Sequence, residues 1–159
     1  MNIKLFIMDV DGTLTDGKIY IGNDGEIMKA FNVKDGYGIQ LLKKHNIIPI
    51  IITGRKSKIV MERCRELGIT ELYQGVENKV DTLKFIADKH KISYDKIAYI
   101  GDDINDIDVI SSVGFGCSVN DGVHEVKEVA KYVTKANGGE GAVREVADMI
   151  IKNKFPKFF

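Results

Sequence analysis

The chain has 159 residues, of which 44% are hydrophobic and 29% charged, and its 23 basic and 23 acidic side chains give a formal net charge of zero. This size and composition predict a single soluble globular domain over residues 1–159. The balanced charge gives no argument for binding nucleic acid or an anionic membrane, and no apolar run approaches the roughly 20 residues of a membrane span. Cys64 and Cys117 form neither a disulfide framework nor a zinc motif, which fits a reducing cytoplasm.

The first elements of the chain are a strand, a hairpin and a helix. Residues 3–8 are apolar except for Lys4, and the run is short enough for one buried strand. Asn23-Asp-Gly25 separates two β-rich segments, which predicts a β-hairpin inserted over about residues 17–32. A modest helical pattern follows over residues 36–45. The hairpin therefore interrupts the chain before the regular alternation of elements begins.

Strands and helices then alternate to the end of the chain. Residues 47–52 form a nearly continuous apolar run, typical of a strand covered on both faces, with Pro49 near its start. Ser57 is a candidate cap for a helix that stops at Gly68. Further strands are predicted over residues 71–74, 97–100, 115–119 and 132–134, and helices over 77–90, 104–113, 123–130 and 142–151. This order predicts an α/β fold with a mostly parallel sheet. The aromatic and basic tail, residues 152–159, would either dock on a partner or fray.

Polar side chains follow three of the predicted buried strands. They are Asp9 and Asp11 after the first, Thr53 after the second, and Asp102, Asp103 and Asp106 after the strand ending at residue 100. In open parallel sheets, ligands bind beyond the carboxyl ends of the strands. We therefore expect these clusters, which are distant in sequence, to meet at one edge of the sheet.

The carboxylates of these clusters suit a hard cation. Mg²⁺ takes one or two carboxylates beside waters and phosphate oxygens, so Asp9 with Asp102 would make such a site. Asp103 and Asp106 would hold metal-bound waters or orient neighbouring groups. The sequence has no twelve-residue loop with EF-hand spacing, which argues against calcium.

The same residues could transfer a phosphoryl group. A carboxylate can attack phosphorus to form an acyl phosphate, while a second acid protonates the leaving oxygen and later activates water. Thr53 and Lys79, which starts a predicted helix, would neutralise phosphoryl oxygens. Each residue also has an ordinary alternative: Thr53-Gly54 as a turn, Lys79 as a solvated side chain, the aspartates as helix caps. Their joint occurrence at strand ends favours the catalytic interpretation.

Four motifs of this chain resemble those of the haloacid dehalogenase superfamily. They are Asp9-Val-Asp11-Gly-Thr-Leu-Thr, Ile52-Thr53-Gly54-Arg55, Lys79 and Gly101-Asp102-Asp103-x-x-Asp106. The resemblance implies a Rossmann-like three-layer sandwich and an acid pair typical of its phosphatases. It implies these roles: Asp9 as nucleophile, Asp11 as general acid/base, Thr53, Gly54 and Lys79 as phosphoryl ligands, and the side chains of Asp9 and Asp102 with the backbone carbonyl of Asp11 as ligands of Mg²⁺.

The gaps between these motifs leave no room for a lid domain. About 37 residues separate Asp16 from Thr53, and about 25 more lead to Lys79, all used by the predicted elements. A site open to water loses electrostatic leverage. Either a macromolecular substrate or a neighbouring subunit would cover it. We favour the subunit, because the exposed hairpin is a ready pairing edge.

Further stretches are similar to the family of 3-deoxy-D-manno-octulosonate 8-phosphate phosphatases. They are Asp16-Gly17, the hairpin, Phe31-Asn32-Val33-Lys34-Asp35-Gly36, Ile52-Thr53-Gly54-Arg55 and Gly138-Gly-Glu-Gly-Ala-Val-Arg144-Glu. The similarity implies a cytoplasmic homotetramer that hydrolyses a sugar phosphate for lipopolysaccharide synthesis at sites shared between subunits. Arg63 would reach a substrate carboxylate across the subunit boundary, since arginine binds carboxylates through two parallel hydrogen bonds.

Three other interpretations compete with this one. A sister group acts on nine-carbon sialic-type sugar 9-phosphates, but its members can carry an acid where this chain has Arg55, which favours the octulosonate. A receiver domain would need an acceptor aspartate after the third predicted strand, which ends near Gln74 without one. A non-catalytic tetramerising module, related to domains of sugar-nucleotide synthetases, would not need the four intact motifs.

Overall fold

The computed structural model describes residues 1–155, in which six parallel strands form the central sheet and two antiparallel strands form a hairpin. The strands are β1 (Leu5–Met8), β2 (Tyr20–Gly22), β3 (Gly25–Met28), β4 (Ile48–Thr53), β5 (Glu71–Gln74), β6 (Ile97–Gly101), β7 (Phe115–Ser118) and β8 (Tyr132–Val133). The central sheet has the order β5-β4-β1-β6-β7-β8, and β2 pairs with β3 in the hairpin. Parallel pairing explains the continuous apolar runs, because helices cover both faces of the sheet.

Six α-helices of the described residues form the two outer layers. They are α1 (Val33–Lys44), α2 (Lys58–Leu67), α3 (Lys79–His90), α4 (Ile107–Ser112), α5 (His124–Val129) and α6 (Ala142–Lys152). Side chains of α1, α2 and α6 share one apolar core, and those of α3, α4 and α5 share the other. Alternate residues of β1 serve the two cores, Phe6 facing the first and Ile7 the second. The predicted α/β three-layer fold is confirmed.

Side-chain caps explain where the helix boundaries differ from the sequence prediction. Helix α1 begins at Val33 rather than residue 36, because the Asn32 side chain accepts a hydrogen bond from the Lys34 amide. Asn78 likewise caps α3, which therefore begins at Lys79 rather than residue 77. The helix predicted over residues 104–113 is a 3₁₀ turn followed by α4. The predicted Ser57 cap of α2 is present.

The segments between the motifs are short, as the sequence predicts. Between β1 and β4 lie only the hairpin and α1, and between β4 and α3 lie only α2 and β5. Near the C-terminus, Phe155 packs edge-on against Phe115 of the core, and the rest of the tail, residues 156–159, lies outside the described part of the chain. Over residues 1–155, no helix combines the length and the apolar character needed to traverse a bilayer.

Strand order brings the predicted polar clusters to one edge of the sheet. Strand β1 lies between β4 and β6, and Met8 stands opposite Ile51 on one side and Ile100 on the other. The amide of Asp9 continues this pairing by donating to the Ile100 carbonyl at 3.1 Å. The residues that leave the three strands therefore emerge side by side at their carboxyl ends.

Candidate active site

A surface pocket lies at the carboxyl ends of β1, β4 and β6. Its lining residues are Asp9, Asp11, Thr53, Gly54, Arg55, Asp102, Asp103 and Asn105. All but Asn105 are residues that the sequence singled out. Asp9 and Thr53 are buried at the base, whereas Arg55 and Asp103 are exposed at the rim. The structure therefore brings the first, second and fourth motifs together in one pocket.

Lys79 supplies a positive charge beneath this pocket. Its ammonium lies 3.1 Å from Asp9 Oδ2 and 2.7 Å from Asp106 Oδ1, and its side chain is almost fully buried. Burial lowers the pKa of Lys79, but the charges of Asp9 and Asp106 outweigh this and raise it above its usual range. The amine is therefore charged and in contact with the carboxylate predicted to be the nucleophile.

Asp106 organises the site without facing substrate. Its Oδ1 accepts hydrogen bonds from Lys79 and from the Tyr99 hydroxyl, and its Oδ2 accepts from the amides of Asp102 and Asp103 at 3.0 and 3.3 Å. A Cβ atom on Gly101 would lie 2.3 Å from this Oδ2, so only glycine permits the approach. With both oxygens occupied by donors, Asp106 anchors Lys79 and the loop after β6.

Asp102 is held at the pocket by the loop after β1. The Thr13 hydroxyl donates to Asp102 Oδ1 at 3.3 Å. Gly12 has a φ of 85°, and a Cβ there would lie 2.0 Å from Asp102 Oδ2. Burial, together with the neighbouring carboxylates of Asp9, Asp106 and Asp103, raises the pKa of Asp102 to about 8. Burial also raises the pKa of Asp9, to about 6, against the opposing charge of Lys79.

These carboxylates fit a divalent cation. Oxygen atoms of Asp9, Asp102 and Asp106 all lie within 4.8 Å of one another. Because Asp106 is already saturated by donors, Asp9 and Asp102 are the two side chains left to bind an ion, the number that Mg²⁺ prefers. Burial raises the pKa of both acids, and the neighbouring carboxylates raise that of Asp102 further, so a bound cation would favour their ionised forms.

Asp11 is held from the hairpin side of the pocket. Its Oδ1 accepts a hydrogen bond from the Lys29 ammonium, and its Oδ2 lies 3.7 Å from Arg55 Nε. Lys29 also pairs with Glu26 at 2.8 Å. Burial alone would lower the pKa of Lys29, but its hydrogen bonds to Asp11 and Glu26 outweigh this and raise it. Lys29 and Glu26 were not predicted as site residues, because charged residues three apart in a hairpin are typical of an ordinary solvated surface.

Arg63 does not line this pocket. Its guanidinium lies 5.5 Å from the centroid of the Phe31 ring and pairs with Glu66 at 2.8 Å. Its predicted role in binding a carboxylate across a subunit boundary therefore stays a prediction. Tyr99 was also missed, although a tyrosine in a buried strand signals that its hydroxyl has a nearby partner.

The parallel sheet and its acidic pocket define a hydrolase of the haloacid dehalogenase class, and comparison with known proteins agrees. Residues 68–146 match the family model described as haloacid dehalogenase-like hydrolase. The 3-deoxy-D-manno-octulosonate 8-phosphate phosphatase KdsC of Escherichia coli K12 is 49% identical over 150 residues, which cover 94% of this chain and 80% of that protein. The Yersinia pestis protein of the same name is 47% identical over the same shares.

Solved structures give the same result. The 3-deoxy-D-manno-octulosonate 8-phosphate phosphatase of Moraxella catarrhalis, in complex with magnesium, phosphate and KDO (3-deoxy-D-manno-octulosonate), superposes with a TM-score of 0.92 at 46% identity, covering 95% of this chain and 87% of that one. The cobalt-bound Haemophilus influenzae phosphatase gives 0.92 at 36% identity, covering 95% and 88%. The chain belongs to the 3-deoxy-D-manno-octulosonate 8-phosphate phosphatase family.

Burial of Asp102 beside other carboxylates predicts that ionisation of this acid lowers the stability of the folded protein. Because folding raises the pKa of Asp102 to about 8 from 3.8, charging this acid destabilises the folded state, and stability falls as the pH rises between these values. At pH 8 in EDTA, Asp102→Asn should therefore raise the Tm. Added Mg²⁺ should raise the Tm of the wild type but not that of the variant, because the variant lacks a ligand.

Thermal melts with and without Mg²⁺ check this expectation. Asp108→Asn removes an exposed acid from the first turn of α4 and serves as the control, with its Mg²⁺ response unchanged. A lower Tm for Asp102→Asn in EDTA, or an undiminished Mg²⁺ response, would contradict it.

Proposed function

We propose that this protein is a Mg²⁺-dependent phosphatase that hydrolyses 3-deoxy-D-manno-octulosonate 8-phosphate to KDO and phosphate through an aspartyl phosphate on Asp9. The observation that carries the proposal is the meeting of Asp9, Asp102 and Lys79 at the carboxyl ends of adjacent strands. The identity to KdsC proteins over most of both chains supports the choice of substrate.

The first half-reaction transfers the phosphoryl group to the protein. A carboxylate oxygen of Asp9 attacks phosphorus while the bond to the sugar oxygen breaks, and Asp11 gives its proton to that oxygen. Thr53, the Gly54 backbone and the Lys79 ammonium would hold the phosphoryl oxygens. This assignment is supported by Thr53 and Gly54 lining the pocket and by the contact of Lys79 with Asp9. Asp9 has to be ionised to attack, and the contact with Lys79 favours the ionised form.

The second half-reaction restores the nucleophile. Asp11, now a base, takes a proton from water, the water oxygen attacks phosphorus, and the bond to Asp9 breaks to release phosphate. The side chains of Asp9 and Asp102 and the backbone carbonyl of Asp11 would hold Mg²⁺, with Asp103 near them. When bound, the ion supplies positive charge that neutralises the phosphoryl oxygens.

An enzyme and a non-catalytic module make different predictions for one substitution. Asp9→Asn should reduce phosphate release from an aryl phosphate with Mg²⁺ by a factor of about a thousand or more, because the amide cannot form the intermediate. Asp16→Asn, an acid-to-amide change in the same loop at a residue that pairs with Lys18, should retain activity. Equal activity of Asp9→Asn and the wild type would exclude the proposed mechanism, and an inactive wild type would favour the module.

The position of Arg55 supports a keto-acid substrate. Its side chain is 47% exposed and lies at the rim of the pocket, and its ion pairs with Asp11 and Glu26 are long, at 3.7 and 4.0 Å. Such an arginine is available for a bidentate contact with a carboxylate. Eight-carbon and nine-carbon keto-acid sugar phosphates both offer one, and turnover of a panel of these compounds would distinguish the octulosonate from the sialic-type alternative.

Removal of Arg55 should therefore affect substrates selectively. Arg55→Ala should raise KM for the octulosonate phosphate about tenfold, equivalent to about 1.4 kcal/mol, and leave KM for glycerol phosphate, which has no carboxylate, nearly unchanged. Arg65→Ala, at an exposed position on α2, is the control. An equal loss with both substrates would show that Arg55 acts on the reaction rather than on the carboxylate.

We further propose that the protein is a cytoplasmic homotetramer whose subunits share active sites. Apolar side chains are exposed on the hairpin and the start of α1: Ile21, Ile27, Met28, Val33 and Tyr37. Patches of this kind are typical of protein interfaces. Both cysteines are free and buried, which is compatible with a reducing compartment. In such an assembly, Arg63 would be placed to contact a substrate carboxylate in a neighbouring site.

Disruption of the exposed patch tests the assembly. Ile21→Asp, at a side chain 72% exposed, should yield a smaller species in gel filtration with light scattering and a lower kcat/KM. Phe85→Asp, at an exposed position on α3, should leave both unchanged. A monomeric variant with full activity would contradict shared sites.

A further inference from the structure

The hairpin places a buried lysine against the acid of the motif after β1. Lys29 directly follows β3, and its side chain is 0% exposed. Its ammonium donates to Asp11 Oδ1 and lies 2.8 Å from Glu26 Oε1. Lysine is almost never fully buried unless it is paired. The hairpin is otherwise exposed, so its own stability does not explain why the Lys29 side chain at its base is buried.

Glu26 connects Lys29 to the loop after β4, which carries Arg55 of the second motif. Its Oε2 accepts a hydrogen bond from the Ser57 hydroxyl, which also caps α2, and its Oε1 lies 4.0 Å from Arg55 Nη2. The three charged groups of Lys29, Glu26 and Asp11 therefore connect the hairpin, the loop after β1 and the loop after β4. Because β1 and β4 are fixed in the sheet, this connection fixes the position of the lysine.

We propose that Lys29 is a positioning residue for Asp11, held in place by Glu26, and that it selects which oxygen of Asp11 serves the reaction. The proposal rests on the role of Asp11 as general acid/base given above. Among the described residues, Oδ1 accepts a hydrogen bond from the ammonium, whereas Oδ2 accepts none and lies 3.7 Å from Arg55 Nε. Oδ2 is therefore the oxygen that gives its proton to the leaving group and later receives one from water.

The physical argument concerns orientation. A general acid works only within hydrogen-bond reach of the atom it protonates, and a misplacement of about 1 Å can cost about a hundredfold in rate. Without Lys29, the carboxyl of Asp11 would keep only the longer contact with Arg55, at 3.7 Å, among its ion pairs with the described residues. The hairpin then has a catalytic task within its own subunit, in addition to its proposed place at the interface.

Leaving-group dependence tests the proposal. A sugar phosphate releases an alkoxide, which needs a proton during bond cleavage, whereas p-nitrophenyl phosphate releases a stable phenolate, which does not. The comparison uses kcat/KM, because this quantity reports steps up to release of the alcohol and excludes hydrolysis of the aspartyl phosphate. Asp11→Asn, which removes the acid itself, sets the largest expected change in the ratio of the two kcat/KM values.

Lys29→Met should lower kcat/KM for the sugar phosphate by about 30-fold, which is less than the roughly 100- to 10,000-fold that a general acid contributes as a whole because Asp11 itself stays in place. The same variant should lower kcat/KM for p-nitrophenyl phosphate by less than about threefold. Lys29→Arg, which keeps a cation, should restore part of the loss. Lys18→Met removes a lysine of the same hairpin segment whose side chain is 70% exposed, and should change neither value. An equal loss on both substrates, or none, would overturn the proposal.

Two controls keep the outcome unambiguous. Lys29→Met leaves Glu26 without its main partner, so the double variant Lys29→Met with Glu26→Gln, which removes that unpaired charge, is measured beside it, and only variants with a cooperative melt are compared. The same change in the ratio for the double variant supports the proposal, and an unchanged ratio overturns it. A wild type without phosphatase activity would overturn the proposed function itself, which separates the two failures.

Discussion

The ion pairs of Lys79 are the interaction on which the site depends. A charge removed from water is costly unless it is paired, and here one ammonium neutralises parts of two buried carboxylates, Asp9 and Asp106. Loss of one member of such a buried group typically costs about 3–5 kcal/mol, because an uncompensated charge stays behind. Lys79 therefore favours the ionised form of the nucleophile, Asp9. It reaches the site from the first residue of helix α3.

The single positive charge of Lys79 cannot neutralise all three carboxylates of Asp9, Asp102 and Asp106. The remaining negative charge favours binding of a cation. The carboxylate of Asp106 accepts hydrogen bonds from backbone amides, the Tyr99 hydroxyl and Lys79, so it requires no further partner. Among the described side chains, the Thr13 hydroxyl donates to Asp102, and burial together with the neighbouring carboxylates raises the pKa of Asp102. The network around Asp106 is complete, whereas the Asp9 and Asp102 pair is complete only when a divalent ion joins it.

The sequence predicted the sheet and most of the pocket because both follow from local patterns. Apolar runs that end in Asp9, Thr53 and Asp102 indicate parallel strands, and the rule for carboxyl ends then places those residues together. The same reasoning could not find Lys29, because its partners are set by how the hairpin folds over the first loop, a tertiary contact with no periodic signal. Helices α1 and α3 begin two or three residues away from their predicted starts, because the side chains of Asn32 and Asn78 cap them.

The connections between the motifs are short, which explains why the hairpin contributes the main contact to the Asp11 side chain from outside the sheet. Two elements outside the sheet contact the Asp11 side chain, the hairpin through Lys29 and the loop after β4 through Arg55, and the hairpin makes the closer contact. A hairpin alone is marginally stable. Its attachment through Lys29 and Glu26 to two loops fixed by the sheet supplies the rigidity that two short strands lack. Assembly through its exposed apolar face would add to that rigidity, so the oligomeric state and the orientation of Asp11 should be energetically coupled.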